Sequence, residues 1–230
     1  MKLPDDTVGL LEGITTTRTI RRFSDVQIPE EALATMLFAA TRAPSMANSQ
    51  PFRFIVLRDS PRAQECKEVL GEAARTAWRE IQERRAAERH AVNSADMANL
   101  HGRGAVSPLA ENFEAVPVVV LACSVGSSDP ATAGSSIYPA CQNLLLAARA
   151  LGYGGAMTGF HRYVDAELRT LLGIPDSVLI AAAIALGTPL GRHGPVRRHP
   201  LRHFVYEDGW ESPPEWAVDP DGARFVEDKA

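Results

Sequence analysis

The run Val116 to Val125 constrains the fold more than any other stretch of this chain. VPVVVLACSV carries no charge and is apolar enough to form a strand buried on both faces. Two further runs are strand-like. Phe52 to Leu57 is aromatic and β-branched, follows a proline and stops at the turn signal Arg58-Asp59-Ser60-Pro61. The alanine-rich Val178 to Leu186 is bounded by Pro175 and Gly187, and its length and flanks favour a buried strand.

Helical patterns separate these runs. A short helix opens the chain, and Pro29 to Arg42 places Leu33, Met36, Leu37 and Ala40 at helical spacing with Pro29 at the first helical position. Pro61 to about His90 repeats apolar residues at Val69, Leu70, Ala73, Ala74, Ala77, Trp78 and Ile81, so it is an amphipathic helix that caps the core. Ser136 to Leu151 is apolar almost all round and ends at Gly152, the pattern of a buried helix. Residues Ala91 to Pro108, with Gly102 and Gly104, form a connection or lid. Strands separated by helices mean an α/β or α+β sheet, and no internal repeat interrupts it. After Trp210 the chain is rich in Pro, Asp and Glu, so it is either a frayed end or an arm on a partner.

Charge and cysteine usage narrow the function class. Lys plus Arg number 24 against 28 Asp plus Glu, so nothing global draws the chain to nucleic acid or an anionic membrane. Cys66, Cys123 and Cys141 lie far apart without a C-x-x-C pair, which reads as reduced, buried thiols. MKLPDDTVGLLEG lacks an uninterrupted apolar core, and no later run reaches the roughly 18 apolar residues of a membrane span. The expectation is a soluble, cytoplasmic protein.

Four segments could carry chemistry. Arg18-Thr19-Ile20-Arg21-Arg22-Phe23 is either a solvated charge run or an anion site, since the guanidinium fork suits phosphate oxygens. Ala43-Pro44-Ser45-Met46-Ala47-Asn48-Ser49-Gln50-Pro51-Phe52 is a polar loop held between prolines, either plain or serving a polyol. Gly152 to Phe160 has four glycines in eight residues, so it is a tight turn or a place where a flat ligand meets the main chain. Arg192, Arg197 and Arg198 form a second basic group after Gly187-Thr188-Pro189. His199 and His203 stand four apart without H-E-x-x-H or a matched acid, which argues against a metal site, and no G-x-S-x-G elbow or Walker A loop occurs.

In order and spacing these segments resemble the nitroreductase family from about Arg18 to Trp210. Its R-x-S-x-R-x-F region is similar to Arg18–Phe23, with Thr19 where serine is usual. Its A-P-S-x-x-N-x-Q-P-W motif is similar to Ala43–Phe52, with Phe52 in place of tryptophan. Ala140 to Ala148 with Leu151-Gly152-Tyr153-Gly154 resembles its helix and turn, and Arg198-His199-Pro200-Leu201 before Phe204-Val205-Tyr206 its closing R-x-P-L and strand.

The resemblance implies a single domain over residues 1–230 with a central mixed, mainly antiparallel sheet flanked by helices. It also implies a lid at about 61–112 and a subunit-exchanged C-terminal arm at about 204–230. FMN is the implied cofactor and NADH or NADPH the reductant, in a homodimer that reduces a small-molecule electron acceptor such as a nitroaromatic, quinone or enone in ping-pong fashion. The phosphate falls to Arg18, Thr19 and Arg198, with Arg197 as neighbour, and the flavin N1 and O2 edge to Arg21. Pro44, Ser45, Met46, Asn48 and Gln50 match the loop at the ribityl chain, commonly from the other subunit. Ala156, Met157, Thr158 and Gly159 match the segment facing flavin N5. No catalytic side chain is implied. A specialised relative (flavin-fragmenting enzyme, dehalogenase or FMN-dependent dehydrogenase) and a flavin-binding redox module without turnover stay open as alternatives. Trp78, His90, His101 and Phe113 are the aromatic candidates to stack on an acceptor.

Overall fold

A computed structural model of the chain describes residues 5, 7–91, 107–126 and 129–226. His101, Gly102, Gly104 and the side chain of His90 fall outside what is described. Strands β1 (Phe52–Leu57), β2 (Val118–Ser124), β3 (Gly154–Thr158) and β4 (Leu179–Gly187) form one sheet in the order β1-β2-β4-β3. This sheet is antiparallel at every pairing rather than mixed. A separate parallel pair joins β5 (Arg197–Arg198) to β6 (Arg224–Phe225) near the end of the chain.

Every residue of β2 is buried, as the apolar run requires, and β4 is buried beyond its first residue. Side chains alternate across the sheet, so one core splits into two halves. Val118, Val120, Ala122, Ile184 and Leu186 meet the layer of α2 (Glu30–Ala40) and α5 (Pro130–Ala150). Val119, Leu121, Cys123, Ala183 and Ala185 meet Leu70 and Ala74 of α3 (Pro61–Ala91) on the other side. α4 (Pro108–Glu111), a short turn at Phe113–Ala115 and α6 (Asp165–Leu172) complete that half, with Phe113 and Leu168 fully buried. The described parts of 61–112 are therefore helices packed on the core. All three cysteines are buried and free, and burial pushes the thiols of Cys123 and Cys141 up to about 11 and about 12.

Helix ends show where local chemistry rules. Pro29 stands at the N-cap of α2 rather than inside the helix. The hydroxyl of Ser60 accepts from Ala63 N–H at the start of α3 (3.2 Å). α5 starts at Pro130 rather than Ser136, because the Asp129 carboxylate caps it by accepting from Thr132 N–H (2.8 Å). Gly152, in the left-handed region at φ 83°, then breaks the chain away from the helix.

The glycine-rich segment that followed as a possible turn is strand β3 instead. Its glycines admit the chain's own neighbours. A Cβ on Gly154 would stand 2.5 Å from Ile20 Cγ1, and one on Gly155 would stand 2.7 Å from Leu145 Cδ2 and 2.8 Å from the Ala185 carbonyl oxygen. Backbone cannot retreat as a side chain can. We expect Gly155→Ala to cost about 1–3 kcal/mol through overpacking, seen in thermal denaturation as a drop of roughly 2–4 °C per kcal/mol. An unchanged melting temperature would show that β3 and β4 separate freely.

Phe204 to Tyr206, expected as a strand, is irregular. The chain closes a 3-10 turn at Leu201–His203 after Pro200, and Phe204 N–H is drawn back to Leu201 O (2.9 Å). The tail then folds against the same region: the Asp219 carboxylate accepts from Leu201 N–H (3.1 Å), and Val226 N–H donates to Arg198 O (3.0 Å).

Candidate functional site

Residues 18–24 run along the outer edge of the sheet beside the start of β3. Arg18 N–H donates to His193 Nδ1 (3.3 Å), Ile20 N–H to Gly155 O (2.9 Å) and Ser24 N–H to Thr188 O (2.9 Å), while Arg22 O accepts from Leu190 N–H (3.1 Å). Every second residue thus bonds inward, and strand alternation turns the main chain of Thr19 and Arg21 outward. Neither N–H has a partner among the described residues, and both side chains are exposed. Ile20 is buried between them and anchors the segment on Gly154.

The basic residues divide into two groups. Arg18 donates from Nε to Gly194 O (3.1 Å) and from Nη2 to Pro195 O (2.6 Å), which ties the edge segment to the approach of β5. Arg21, Arg22, Phe23, Asn112 and Leu190 line a cavity of about 310 Å3. Arg198 faces another, of about 330 Å3, with Thr16, His199, Asp219 and Arg224, and donates to Arg197 O (2.8 Å). No described contact joins Arg198 to Arg18 or Thr19. Among the described residues none of Arg18, Arg21, Arg22, Arg197 and Arg198 pairs with a carboxylate. Asn112, Leu190 and His193 were not singled out in the sequence. Nothing local marks them, because only the fold brings them to the edge segment.

The loop before β1 is held under strain. Ala47, Asn48 and Gln50 all sit in the left-handed region, at φ 50°, 54° and 48°. Such residues cost about 1–3 kcal/mol each and persist where surroundings over-determine them. Here Ser45 Oγ accepts from Gln50 N–H (3.0 Å), Gln50 Nε2 donates to Asn48 O (3.3 Å) and Met46 N–H donates to Ser136 Oγ (3.5 Å). Pro44, Met46, Asn48 and Gln50 are exposed, with Met46 at 66%. α5 measures how far this loop lies from the edge segment. The loop touches α5 at Ser136, whereas Thr16, two residues before Arg18, accepts from Arg149 Nη2 (3.3 Å). At 1.5 Å per residue the backbone positions of Ser136 and Arg149 lie about 20 Å apart along the helix.

At the end of β3 the four predicted residues are not equivalent. Ala156 is buried and pairs with Ala185, and the Thr158 hydroxyl donates to Ala183 O (2.9 Å). Because Gly155 O faces Ile20, alternation in an antiparallel ladder turns the main chain of Met157 outward too. Gly159 is exposed and leads into a 3-10 turn at Phe160–Tyr163. Phe160 packs edge-on against Phe113 (5.8 Å), and Tyr163 Oη donates to Glu80 of α3 (2.6 Å). Complete burial removes Phe113 from the candidates for stacking on an acceptor, and Trp78 is half-buried against the same cluster.

His161 in this turn is buried, and desolvation chiefly, with Arg162 adding to it, pulls its pKa down to about 4. The native state therefore holds the neutral ring, whose stabilisation is present above about pH 6.5 and is lost as pH falls toward 4. We expect a loss of about 3 kcal/mol across that window, read as a falling urea midpoint. His161→Gln should flatten that slope; an unchanged slope would place the acid sensitivity elsewhere.

The sequence model of the Nitroreductase family matches residues 14–188, which takes in the edge segment, the strained loop and β3, and stops short of Arg197 and Arg198. An NADH dehydrogenase of Thermus thermophilus is 34% identical over 82% of this chain and 90% of its own length. A protein of Archaeoglobus fulgidus assigned as an NADH dehydrogenase/NAD(P)H nitroreductase is 32% identical over 78% of this chain and 84% of its own. Among solved structures, a protein from Desulfovibrio desulfuricans assigned as a nitroreductase, in complex with FMN, superposes with a TM-score of 0.62 at 26% identity, covering 87% of this chain and 96% of that one.

Proposed function

Because this chain belongs to the nitroreductase family, we propose that it is an FMN-dependent NAD(P)H oxidoreductase whose flavin site is shared by two identical subunits. This reading rests on the edge segment, where exposed arginines stand beside the N–H groups of Thr19 and Arg21, and among the described residues neither the arginines have a carboxylate partner nor the N–H groups an acceptor. That donor set fits a phosphorylated, electron-accepting ring system. When bound, FMN supplies hydride chemistry at N5, alternating between NADH or NADPH and a small acceptor such as a nitroaromatic, quinone or enone.

The chain's own residues bind and polarise. Arg18, Thr19 and Arg198, with Arg197 beside it, hold the phosphate. Arg21 sets a fixed cation at the N1 and O2 edge, where it favours negative charge on the ring. The outward main chain of Met157 and that of Gly159, beyond Thr158, would face N5. Ser45, Met46, Asn48 and Gln50 serve the ribityl chain of the partner's flavin, since this loop meets α5 at Ser136 while the edge segment is tied to it at Arg149, in its last turn. Within 61–112 lies the segment that selects the acceptor, and within 204–230 the arm that crosses to the partner. No helix among the described residues is long and apolar enough to cross a membrane, and we place the protein in the cytoplasm.

The test is direct. Heat-released cofactor should chromatograph as FMN, and the reconstituted protein should oxidise NADH or NADPH with nitrofurazone or a quinone. FAD, or no flavin after reconstitution, overturns the reading; bound FMN without turnover reduces it to a flavin-binding module.

A further inference from the structure

We infer that His193 is a pin that sets the phosphate-binding edge segment and makes its grip on FMN depend on pH. The inference rests on the reading of Arg18 and Thr19 as phosphate ligands. The ring is bonded at both nitrogens: Nδ1 accepts from Arg18 N–H (3.3 Å) and Nε2 meets Tyr153 O (3.1 Å). A main-chain N–H can only donate and a carbonyl can only accept, so the geometry admits one state, the neutral ring with its proton on Nε2. That ring clasps three segments distant in sequence: the edge segment, the turn that leads into β3, and the loop whose next two carbonyls hold the Arg18 guanidinium.

A second proton would have to sit on Nδ1, facing the donor that Nδ1 now accepts from. The bond that fixes Arg18 would become a repulsion, and Thr19, the next residue, would lose its alignment. The groups around the ring oppose that proton. Arg149 of α5 and Arg18 both act on it as cations, Tyr153 offers only its carbonyl, and Glu12 stands 4.0 Å from Arg149. Burial foremost, and then the two guanidinium groups against the favourable Tyr153 bond, hold the His193 pKa below its usual 6.5. The sign follows: the pin is whole at neutral pH and above, and it is lost as pH falls below that usual value through the lowered one.

The experiment is FMN titration of the apoprotein, followed by fluorescence quenching, at about pH 7.5 and at the lower pH at which the ring nitrogen shifts show His193 doubly protonated. Native protein is compared with His193→Asn, whose side-chain oxygen can accept from Arg18 N–H at either pH. The phosphate of FMN titrates in this range as well, and its contribution is common to both proteins. We expect the native affinity to fall roughly three- to tenfold more than that of His193→Asn, the worth of one neutral hydrogen bond. Nitrogen chemical shifts of the His193 ring should report the Nε2–H form at the higher pH. Equal losses in the two proteins, or a charged or Nδ1–H ring at the higher pH, overturn the pin. A native chain that takes no FMN at either pH overturns the FMN reading instead, and the nitrogen shifts, which need no flavin, then decide the pin alone.

Discussion

Replacing Arg21 with Glu is expected to empty the flavin site while leaving the fold intact. Arg21 is exposed, makes no ion pair among the described residues and contributes nothing to either half of the core. Its removal should therefore be nearly silent in thermal denaturation of the apoprotein. The flavin-bound state would differ, because in the proposed site the guanidinium meets the edge of the ring that carries negative charge. Losing a charge-assisted contact costs about 1.5–3 kcal/mol, so Arg21→Ala should weaken FMN roughly ten- to hundredfold. A carboxylate adds repulsion and should exceed that. Flavin affinity unchanged in both variants would move the site off the edge segment. Arg18→Ala is less clean, because its guanidinium also ties Gly194 and Pro195 to the sheet edge.

Ending the chain after Tyr206 should abolish the dimer and the bound flavin together. The segment removed includes β6, the Asp219 carboxylate that holds Leu201, and two tryptophans left open to solvent, Trp210 at 84% and Trp216 at 61%. Exposed Leu10 and Leu11 of α1 (Leu10–Thr16) add to the apolar surface that a second subunit would cover. Buried tryptophans at an interface are worth about 2 kcal/mol or more each, so losing both should weaken association on the order of a thousandfold. Light scattering and flavin quantitation on the shortened chain read both quantities. A stable monomer that keeps FMN contradicts the shared site; a flavinated dimer contradicts only the arm.

Much of this fold is written in local pattern. β1 and β4 stand out because proline and glycine punctuate apolar runs, and Leu33, Met36 and Ala40 mark α2 by spacing alone. The first turns of α5 were hidden because Thr132, Gly134 and Ser135 resemble a loop until Asp129 is seen to cap them. β3 was hidden for a different reason. Its glycines satisfy packing demands made by Ile20, Leu145 and Ala185, none of them sequence neighbours, so a tertiary constraint overrode local propensity. The same division holds at the site. Family motifs point to Arg18, Arg21, Ser45 and Asn48 as candidates, but His193 is legible only in three dimensions, since its partners lie 175 and 40 residues away. The left-handed run at Ala47, Asn48 and Gln50 was equally invisible, because none of these residues is glycine.

In the proposed dimer each flavin lies between the edge segment of one chain and the strained loop of the other. Mixed dimers test it most directly. One chain carries Arg21→Glu, the other carries Ser45→Ala with Asn48→Ala, and differently tagged copies are purified as a pair. Either variant alone should form a dimer without flavin. In the mixed dimer the account places both lesions in one site and leaves the other intact, so half the sites should fill with FMN. A mixed dimer as empty as its parents would mean that edge segment and loop act within the same chain, and would contradict the account.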